Sequence, residues 1–432
     1  MNKALLLILI ILFLNNCSSN KDETLSVGKK TNLQKTDKLK AIRFKITRDE
    51  QEFNPTLTIQ ISEGKFSINS DNNKNNIGEL GYQGFLEKIG KFNYKNFNDF
   101  EYIETKPIYY NDDIIFFDNN GTIISYDSNQ NVIWKKNFYN KSEKKSRPRL
   151  NFAIQKNILI VTDSVAKYYA VDLITREILW TRKNTVPFNS DIKIKDDVFY
   201  VLDYKNILRS ISIKDGSEIW NLKTEESLTK SNRKLSITLD NENIYFNNSI
   251  GDITAVNILS GQLVWQLPTQ NNNISKNAFQ LKSSKLVMNE NSILFSNNKN
   301  EFYSIDKKIG LINWKNKINS ILRPTVIGKF IITVSSNGYL YLADKKSGTI
   351  LRINDLYKNY KYKKRINILP TGFVVARNKI YLTNDDGKLI IADLNTGNIL
   401  NIFKIAGGRI SQPYVYGNNL LLIKNGSIIK YN

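Results

Sequence analysis

The feature that most constrains the fold of this chain is a stretch that recurs along it and is clearest at Asn247–Thr269. This stretch contains an alternating polar and apolar strand, a turn at Ser260-Gly261, and a second strand that ends in Trp265. Alternation is typical of a strand with one buried face, and a Ser-Gly pair between two such strands is typical of a tight hairpin. The repeat is therefore predicted to be antiparallel β-structure.

All five tryptophans of the chain lie at the same position of this repeat, 46, 40, 45 and 49 residues apart. A short polar residue precedes each ring by seven or eight residues, and a glycine precedes three of the rings by four residues. Two further copies keep this frame with Arg352 or Asn401 in place of the ring. The tryptophans are Trp134, Trp180, Trp220, Trp265 and Trp314, the polar residues are Asp127, Asp172, Ser212, Asn257, Asp306, Asp344 and Asp393, and the glycines are Gly216, Gly261, Gly310, Gly348 and Gly397. A period of about 40–50 residues made of four short strands is typical of a β-propeller blade.

The residue types of this frame suit a hairpin that meets a neighbouring blade. Asp or Asn can bond the backbone two residues further on, and glycine supplies a positive φ at little cost. We expect the indole to fill the wedge between two blades, and we favour this packing role over stacking on a ligand.

An eighth copy begins at Asn418 and lacks its last strand. The stretch Phe85–Gly90 resembles that missing strand, with Phe85 where the tryptophan would be. An N-terminal strand that completes the C-terminal blade would close the ring and remove an exposed sheet edge. We therefore predict an all-β fold over residues 84–432: an eight-bladed β-propeller of four-stranded antiparallel blades, closed by that strand.

Residues 1–16 have the pattern of a lipoprotein signal peptide. Lys3 is followed by the apolar run Ala4–Leu14, which is too short for a usual membrane span. Cys17, the only cysteine, follows directly, and we predict that it carries a lipid. The alternative is an ordinary signal peptide with a chance cysteine.

Ser18 stands after the cysteine, where an aspartate tends to hold a Gram-negative lipoprotein in the inner membrane. The predicted location is therefore the outer membrane, with the protein facing the periplasm. Residues 17–38 are predicted to be a flexible tether because they are polar and lack aromatic side chains. Residues 39–83 are predicted to be an N-terminal extension, either packed on the propeller or partly disordered.

The sequence lacks the residues that several kinds of catalytic site and metal site require. It contains no histidine, which is the commonest general base and metal ligand, and its one cysteine is assigned to the lipid. Zinc sites of the usual Cys/His type are thereby excluded, and no G-x-S-x-G or phosphate-binding loop is present. We predict no enzyme activity, no cofactor and no metal. The sequence leaves open a calcium or quinone site built from Asp, Asn and Glu.

The formal charge of +22 is compatible with nucleic acid or with anionic lipid as a partner. The cluster Tyr357–Arg365 is the best local candidate for nucleic acid, because aromatic rings beside cations can stack on bases. An exported protein meets little nucleic acid, and lysine is abundant throughout the chain. We therefore predict no nucleic-acid partner and favour attraction to phosphate-rich membrane surfaces, or solubility, as the role of the charge.

The repeats resemble quinoprotein-type, PQQ-like propeller blades, and the whole arrangement resembles the BamB family of outer-membrane assembly lipoproteins. The resemblance covers about Phe85–Asn432 and rests on the eight copies, the opening strand and the truncated last blade, together with the lipobox at Leu14–Cys17. It implies a non-catalytic scaffold of the β-barrel assembly machinery. Such a scaffold binds the barrel insertase BamA and other components of the machinery, and assists insertion of outer-membrane proteins.

The resemblance also implies a contact region for the insertase. In the family this region is a leucine-rich stretch with an arginine between blades three and four, with acidic residues in the next linker. The first part maps onto Ser227–Ser236, and its partner-binding candidates are Leu228, Arg233 and Leu235. The second part maps near Gln280–Ser284, where Gln280 and Lys282 stand in place of the acids. For Arg233 the alternative is a solvated loop charge.

Two other functions fit the same blades. Quinone-dependent dehydrogenases share them but typically carry an adjacent cysteine pair and active-site insertions, so the single cysteine argues against that class. A membrane-tethered binding or sensor propeller is the third possibility, and no motif of the sequence favours it.

Overall fold

The computed structural model describes residues 50–61, 76, 82–100, 104, 106–225, 233–269 and 281–432. In these residues eight four-stranded antiparallel sheets form the blades. The first strand of the chain is β1 (Lys88–Asn93). Blade 1 contains β2 (Ile108–Tyr110), β3 (Asp113–Phe117), β4 (Ile123–Tyr126) and β5 (Val132–Lys136). Blade 2 contains β6 (Leu150–Gln155), β7 (Ile158–Asp163), β8 (Lys167–Asp172) and β9 (Ile178–Lys183).

Blades 3 to 5 follow in chain order. Blade 3 contains β10 (Lys193–Lys195), β11 (Val198–Leu202), β12 (Ile207–Ser212) and β13 (Glu218–Lys223). Blade 4 contains β14 (Ile237–Leu239), β15 (Asn243–Asn247), β16 (Ile253–Asn257) and β17 (Leu263–Leu267). Blade 5 contains β18 (Val287–Met288), β19 (Ser292–Asn297), β20 (Glu301–Asp306) and β21 (Ile312–Asn316).

The last three blades complete the ring. Blade 6 contains β22 (Thr325–Ile327), β23 (Phe330–Val334), β24 (Tyr339–Asp344) and β25 (Ile350–Asp355). Blade 7 contains β26 (Pro370–Ala376), β27 (Lys379–Asn384), β28 (Lys388–Asp393) and β29 (Ile399–Lys404). Blade 8 contains β30 (Tyr414–Tyr416), β31 (Asn419–Lys424), β32 (Ser427–Tyr431) and β1. Two short helices, α1 (Lys141–Lys145) and α2 (Tyr362–Arg365), lie in linkers between blades. In the described part, no helix is long and apolar enough to cross a membrane.

The burial of each blade changes from its middle strands to its outer strand. Every residue of β19 and β23 is buried, because a neighbouring blade packs on each face of these strands. In the outer strand β17 only Trp265 and Leu267 are half-buried and the other residues are exposed. This one-sided pattern is that of an edge strand with one face on the core, and it agrees with the alternation seen in the sequence.

The predicted closure of the ring is confirmed. Strand β1 pairs antiparallel with β32, and Phe92 lies opposite Ile428. The backbones of Glu87 and Asn432 exchange hydrogen bonds of 3.0 and 2.8 Å. Without β1 the C-terminal blade would lose its outer strand.

The prediction that Phe85 takes the place of the tryptophan is wrong. Phe85 is 91% exposed and precedes β1, and Gly90 follows the bulge where the other blades carry the ring. The reason lies in blade 1, whose turn has Gln130 at the position of the usual glycine. A Cβ on Gly90 would lie 3.3 Å from the Gln130 side chain, and Lys91 N–H donates to Gln130 Oε1 at 2.8 Å. The glutamine side chain fills this wedge, so a ring on β1 would have no room.

In four seams, the contacts between neighbouring blades, an indole of one blade lies over a glycine in a turn of the next. The pairs are Trp180–Gly216, Trp220–Gly261, Trp265–Gly310 and Trp314–Gly348. A Cβ on any of these glycines would lie 2.5 or 2.6 Å from the ring, and their φ values lie between +71° and +74°. Both the close approach and the left-handed backbone therefore require glycine. Trp134 is half-buried against the core of blades 1 and 2.

The indole N–H also binds the next blade. The indole N–H of Trp180 donates to the carbonyl oxygen of Ile213 at 2.7 Å, and that of Trp265 donates to the carbonyl oxygen of Lys307 at 3.0 Å. Each of these rings therefore supplies its seam with both apolar area and a hydrogen bond.

The seam between blades 6 and 7 is built differently. Residues 50–61, which we call the strap, lie along β25, and Phe53 and Ile353 exchange backbone hydrogen bonds of 3.2 and 2.8 Å. Arg352, at the tryptophan position of blade 6, is 1% exposed and donates from Nη1 to the carbonyl of Leu57 at 2.8 Å. Asn354 covers Gly397, whose Cβ would lie 2.0 Å from the amide oxygen. The strap and Arg352 together thus fill the gap that a ring fills elsewhere.

Apart from the strap, Asn76, Tyr82 and Gln83, the predicted extension 39–83 lies outside the described residues. The predicted signal segment 1–16, Cys17 and the tether 17–38 also lie outside them.

The antiparallel order of each blade places its connections at two ends. Each linker runs from the outer strand of one blade to the inner strand of the next, so all linkers lie on one face of the propeller. The turns between second and third strands lie there too. We call this the linker face. The glycine turns described above lie on the opposite face.

Candidate partner-binding face

Arg233 lies on the linker face, between blades 3 and 4, and its side chain reaches three other linkers. Its Nη1 donates to the carbonyl oxygens of Ser283 at 3.1 Å and Ile321 at 3.0 Å. Its Nε lies 3.7 Å from Oε1 of Glu104 in the linker that enters blade 1. The Arg233 side chain is 28% exposed. Arg233 therefore connects linkers around the mouth of the central channel and remains partly accessible.

The two leucine candidates have different outcomes. Leu235 is 5% exposed and packs in the core of blades 3 and 4, and its N–H donates to the carbonyl of Asn189 at 2.7 Å. This burial corrects the expectation of a surface contact, because the apolar position just before an inner strand is used by the core. Leu228, Gln280 and the stretch 226–232 lie outside the described residues. Lys282 is exposed beside Ser283.

A charged cluster at the start of the inner strands surrounds Asp191. Its Oδ2 lies 2.5 Å from Nζ of Lys285 and its Oδ1 lies 3.7 Å from Nζ of Lys234. Burial by itself would raise the pKa of this carboxyl, but the charges of Lys285, Lys234 and Lys106 hold the pKa far below its usual range. Asp191 therefore stays ionised at any physiological pH and binds linkers of three blades together.

Asn76 comes from the N-terminal extension and meets the inner strands of blades 3 to 5. Its Nδ2 donates to the carbonyls of Ile237 and Leu286, each at 2.9 Å. Its Oδ1 accepts from Nζ of Lys193 at 2.5 Å. Asn76 is 4% exposed and has φ +60°. A residue far outside the blade repeats therefore occupies the lining of the central channel.

Sequence reasoning missed both Asp191 and Asn76. Asp191 lies two residues before an inner strand and follows no motif, and Asn76 ends an asparagine-rich stretch without distinguishing features. The only signal available was the departure of these linkers from the repeat, which does not indicate which side chains meet.

The arrangement at the mouth is suited to recognition by charge and hydrogen bonds. In the described part, cations outnumber carboxylates around Arg233 and Asp191; the cations are Lys106, Lys193, Arg233, Lys234 and Lys285. Among the same residues no group of three or more His, Cys, Asp or Glu side chains lies close enough to hold a metal ion. A rigid ring of linkers with a net positive mouth offers a surface for an acidic partner surface.

Comparison with known proteins gives relatives of one kind in sequence and of several kinds in structure. A family model described as outer membrane protein assembly factor BamB matches residues 119–354, more than half of the chain. The outer membrane protein assembly factor BamB of Shewanella oneidensis is 20% identical over 300 residues, which cover 67% of this chain and 73% of that protein.

Among solved structures, BamB from Moraxella catarrhalis aligns with a TM-score of 0.66 at 15% identity and covers 80% of this chain and 99% of its own. The quinohemoprotein alcohol dehydrogenase ADHIIG of Pseudomonas putida HK5 aligns with a TM-score of 0.60 at 11% identity, over 82% of this chain and 78% of its own. At these identities the structural similarity shows the fold alone. The family match over the blade repeats decides between these neighbours: the chain belongs to the family of the outer membrane protein assembly factor BamB.

Proposed function

We propose that this chain is a non-catalytic scaffold of outer-membrane protein assembly. In this proposal it faces the periplasm, is held at the inner leaflet of the outer membrane by a lipid on Cys17, and binds the barrel insertase through its linker face. Family membership supports the role in assembly. The absence of histidine from the sequence supports the non-catalytic part of the proposal.

The observation that carries the choice of face is the position of Arg233. Its guanidinium bridges the linkers at Ser283 and Ile321 and approaches Glu104, so the residue belongs to a preformed surface. Preformed polar surfaces bind with a smaller entropic cost than surfaces that order on binding. Lys282, which stands where the family resemblance places an acid, adds a further positive charge beside this surface.

The test is native affinity purification of the membrane-anchored protein followed by mass spectrometry. We expect the wild-type chain to recover the barrel insertase, and Arg233→Glu to reduce that recovery about tenfold or more because it reverses a charge at the centre of the surface. The matched control is Lys135→Glu, which makes the same change of charge on the exposed outer strand β5. This control should recover as much insertase as the wild type.

Thermal melting of each variant separates loss of binding from loss of the fold, because Arg233 also ties linkers together. Recovery of no assembly component by the wild type, or recovery of a cytochrome in its place, would contradict the proposal. Equal loss in Lys135→Glu would show that overall charge, rather than the linker face, governs recovery.

A further inference from the structure

The linker from blade 6 to blade 7 carries an exposed cluster of aromatic and cationic side chains on the linker face. We call residues 357–368 the basic–aromatic loop. Within it Tyr362 is 70% exposed and Ile366 is 55% exposed, and α2 has no buried residue. The lysines of the loop are also exposed; they are Lys358, Lys361, Lys363 and Lys364. Large apolar and aromatic side chains among lysines are typical of a segment that lies in a membrane interface.

Buried residues at both ends of the loop fix its exposed middle part to the propeller. Tyr357 is fully buried, and its hydroxyl donates to Oδ1 of Asn384 at 2.6 Å. Its ring lies on Gly338, where a Cβ would be 2.2 Å from the ring, and Ile368 is 3% exposed at the other end. The loop therefore does not need to fold before it binds, which lowers the cost of binding.

The charge of the loop is only partly compensated by the protein. Nη1 of Arg365 lies 2.6 Å from Oδ2 of Asp355, and Nζ of Lys364 lies 3.4 Å from Oδ2 of Asp386. For Lys358, Lys361 and Lys363 the described part of the chain holds no ion pair. An anionic surface would thus meet at least three lysines next to Tyr362 and Ile366.

The strap begins beside this loop. Glu50, its first residue, accepts hydrogen bonds from the hydroxyls of Tyr341 at 2.8 Å and Ser335 at 3.0 Å. The carboxyl group of Glu50 also interacts electrostatically with the guanidinium of Arg365 in the loop. Glu52 accepts from the N–H of Asp355 at 2.8 Å. The covalent path from Cys17 to the propeller therefore reaches the described structure next to the basic–aromatic loop.

From these observations we propose that the basic–aromatic loop is a second membrane contact, which binds the anionic phospholipid headgroups of the bilayer that holds the N-terminus. The identity of that bilayer rests on the proposed lipid at Cys17. A polybasic patch close to a membrane anchor adds electrostatic attraction to anionic headgroups. The loop also orients the propeller, because it directs the linker face toward the membrane surface.

The experiment measures sedimentation with vesicles of a chain that begins at Ser18. This chain keeps every described residue and carries neither the apolar leader nor the cysteine proposed to bear the lipid, so binding to vesicles cannot come from either of them. Vesicles of phosphatidylglycerol and phosphatidylethanolamine are compared with vesicles of phosphatidylcholine. We expect binding to the anionic vesicles only, weakening as salt is raised.

Two loop variants and one control locate the contact. Lys361→Glu with Lys363→Glu should weaken binding to anionic vesicles about tenfold, and Tyr362→Ser with Ile366→Ser about threefold. The control, Lys141→Glu with Lys145→Glu, makes the same change of charge on exposed lysines of α1, also on the linker face. The control should bind within twofold of the wild type, and all variants should melt at wild-type temperature.

Three outcomes would overturn the proposal. Failure of the wild type to bind anionic vesicles would remove it directly, and equal loss in the α1 control would show attraction by overall charge. Binding of a single-stranded oligonucleotide through Lys361 and Lys363, without vesicle binding, would replace it with nucleic-acid recognition. Recovery of the insertase from detergent extracts is measured separately, so failure of the assembly role leaves the vesicle result standing.

Discussion

The seam between blades 4 and 5 and the seam between blades 6 and 7 fill the same wedge with different chemistry. In the first, Trp265 lies over Gly310 and donates one hydrogen bond to Lys307. In the second, Arg352 is buried and donates to backbone carbonyls of both the strap and blade 7; its acceptors are Leu57, Leu394 and Asn395.

The difference shows what each solution requires from the rest of the chain. An indole needs only a glycine opposite it, so the seam is complete within two consecutive repeats. A buried guanidinium needs several acceptors, and burial lowers the pKa of Arg352 while Asp393 opposes that shift. The strap provides one of these acceptors, so the second seam depends on a segment 295 residues away in sequence.

The largest expected effect comes from removal of the closing strand β1, which lies in neither of these two seams. Deletion of residues 84–94 removes β1 and leaves β32 as an open edge, so the ring should lose its structure in one cooperative step. Circular dichroism and thermal melting measure this loss. Deletion of residues 50–61 is the comparison and should lower the melting temperature without loss of the fold. An unchanged melting curve after deletion of 84–94 would show that the ring does not depend on its closure.

Trp265→Ala should have the next largest effect, a cost of about 3–5 kcal/mol in the free energy of unfolding, since it leaves a cavity and an unpaired carbonyl at Lys307. Chemical denaturation measures it. Gly310→Ala should also destabilise, because its Cβ would clash with the ring at 2.6 Å and its φ is +74°. In the Trp265→Ala background the clash disappears, so the double-mutant cycle should show coupling. Simple additivity would mean that the ring does not seal this seam.

Arg352→Ala should cost about 2–4 kcal/mol, because it leaves buried carbonyls without donors. In a chain that lacks residues 50–61 the same substitution should cost less, since the Leu57 carbonyl is no longer present. Denaturation of the four proteins of this cycle measures the coupling, and Trp314→Ala in both chains is the control. Equal cost of Arg352→Ala with and without the strap would contradict the dependence of this seam on the strap.

The smallest expected effect is a dependence of stability on pH through the carboxyl group of Glu50 in the strap. Burial raises the pKa of Glu50 above its usual 4.5, although the hydrogen bonds from Tyr341 and Ser335 act in the opposite direction. The neutral carboxyl is therefore favoured in the folded state. Its contribution to stability is complete below the pKa of the unfolded chain and is lost as the pH rises through the raised folded pKa.

The melting temperature of the wild type relative to Glu50→Gln should accordingly fall as the pH rises from below 4.5 through the raised pKa of the folded state. The amide keeps the neutral state at every pH, so the difference between the two proteins isolates Glu50. Tyr341→Phe removes one hydrogen-bond donor to the carboxylate and should enlarge the difference. A difference that does not change with pH would show that Glu50 is solvated rather than packed on blade 6.

Much of the architecture could be predicted because it depends on local patterns in the sequence. The strand alternation, the glycine turns and the spacing of the rings all operate within one repeat, so eight blades and their closure follow from the sequence. The position of Arg352 as a departure from the frame was also visible. Its role was not, because nothing local indicates that the Leu57 carbonyl lies against it.

The candidate site was much less accessible to such reasoning. Only the resemblance to the family predicts a role for Arg233, and it predicts a surface contact for Leu235, which packs in the core. Asp191 and Asn76 were missed because their contacts join linkers and inner strands of different blades.

By itself, the sequence of this protein determined the repeat, the number of blades and the residues that seal four of the seams. Hydrogen bonding between neighbouring strands and the 40–50-residue period are short-range constraints, and they act wherever the motif occurs. The tertiary structure alone decided that Gln130 replaces a ring at the closing seam, that the strap supports Arg352, and that Arg233 connects several linkers. Each of these depends on which distant segments the ring brings together, and in a closed ring that is set by the packing of all eight blades.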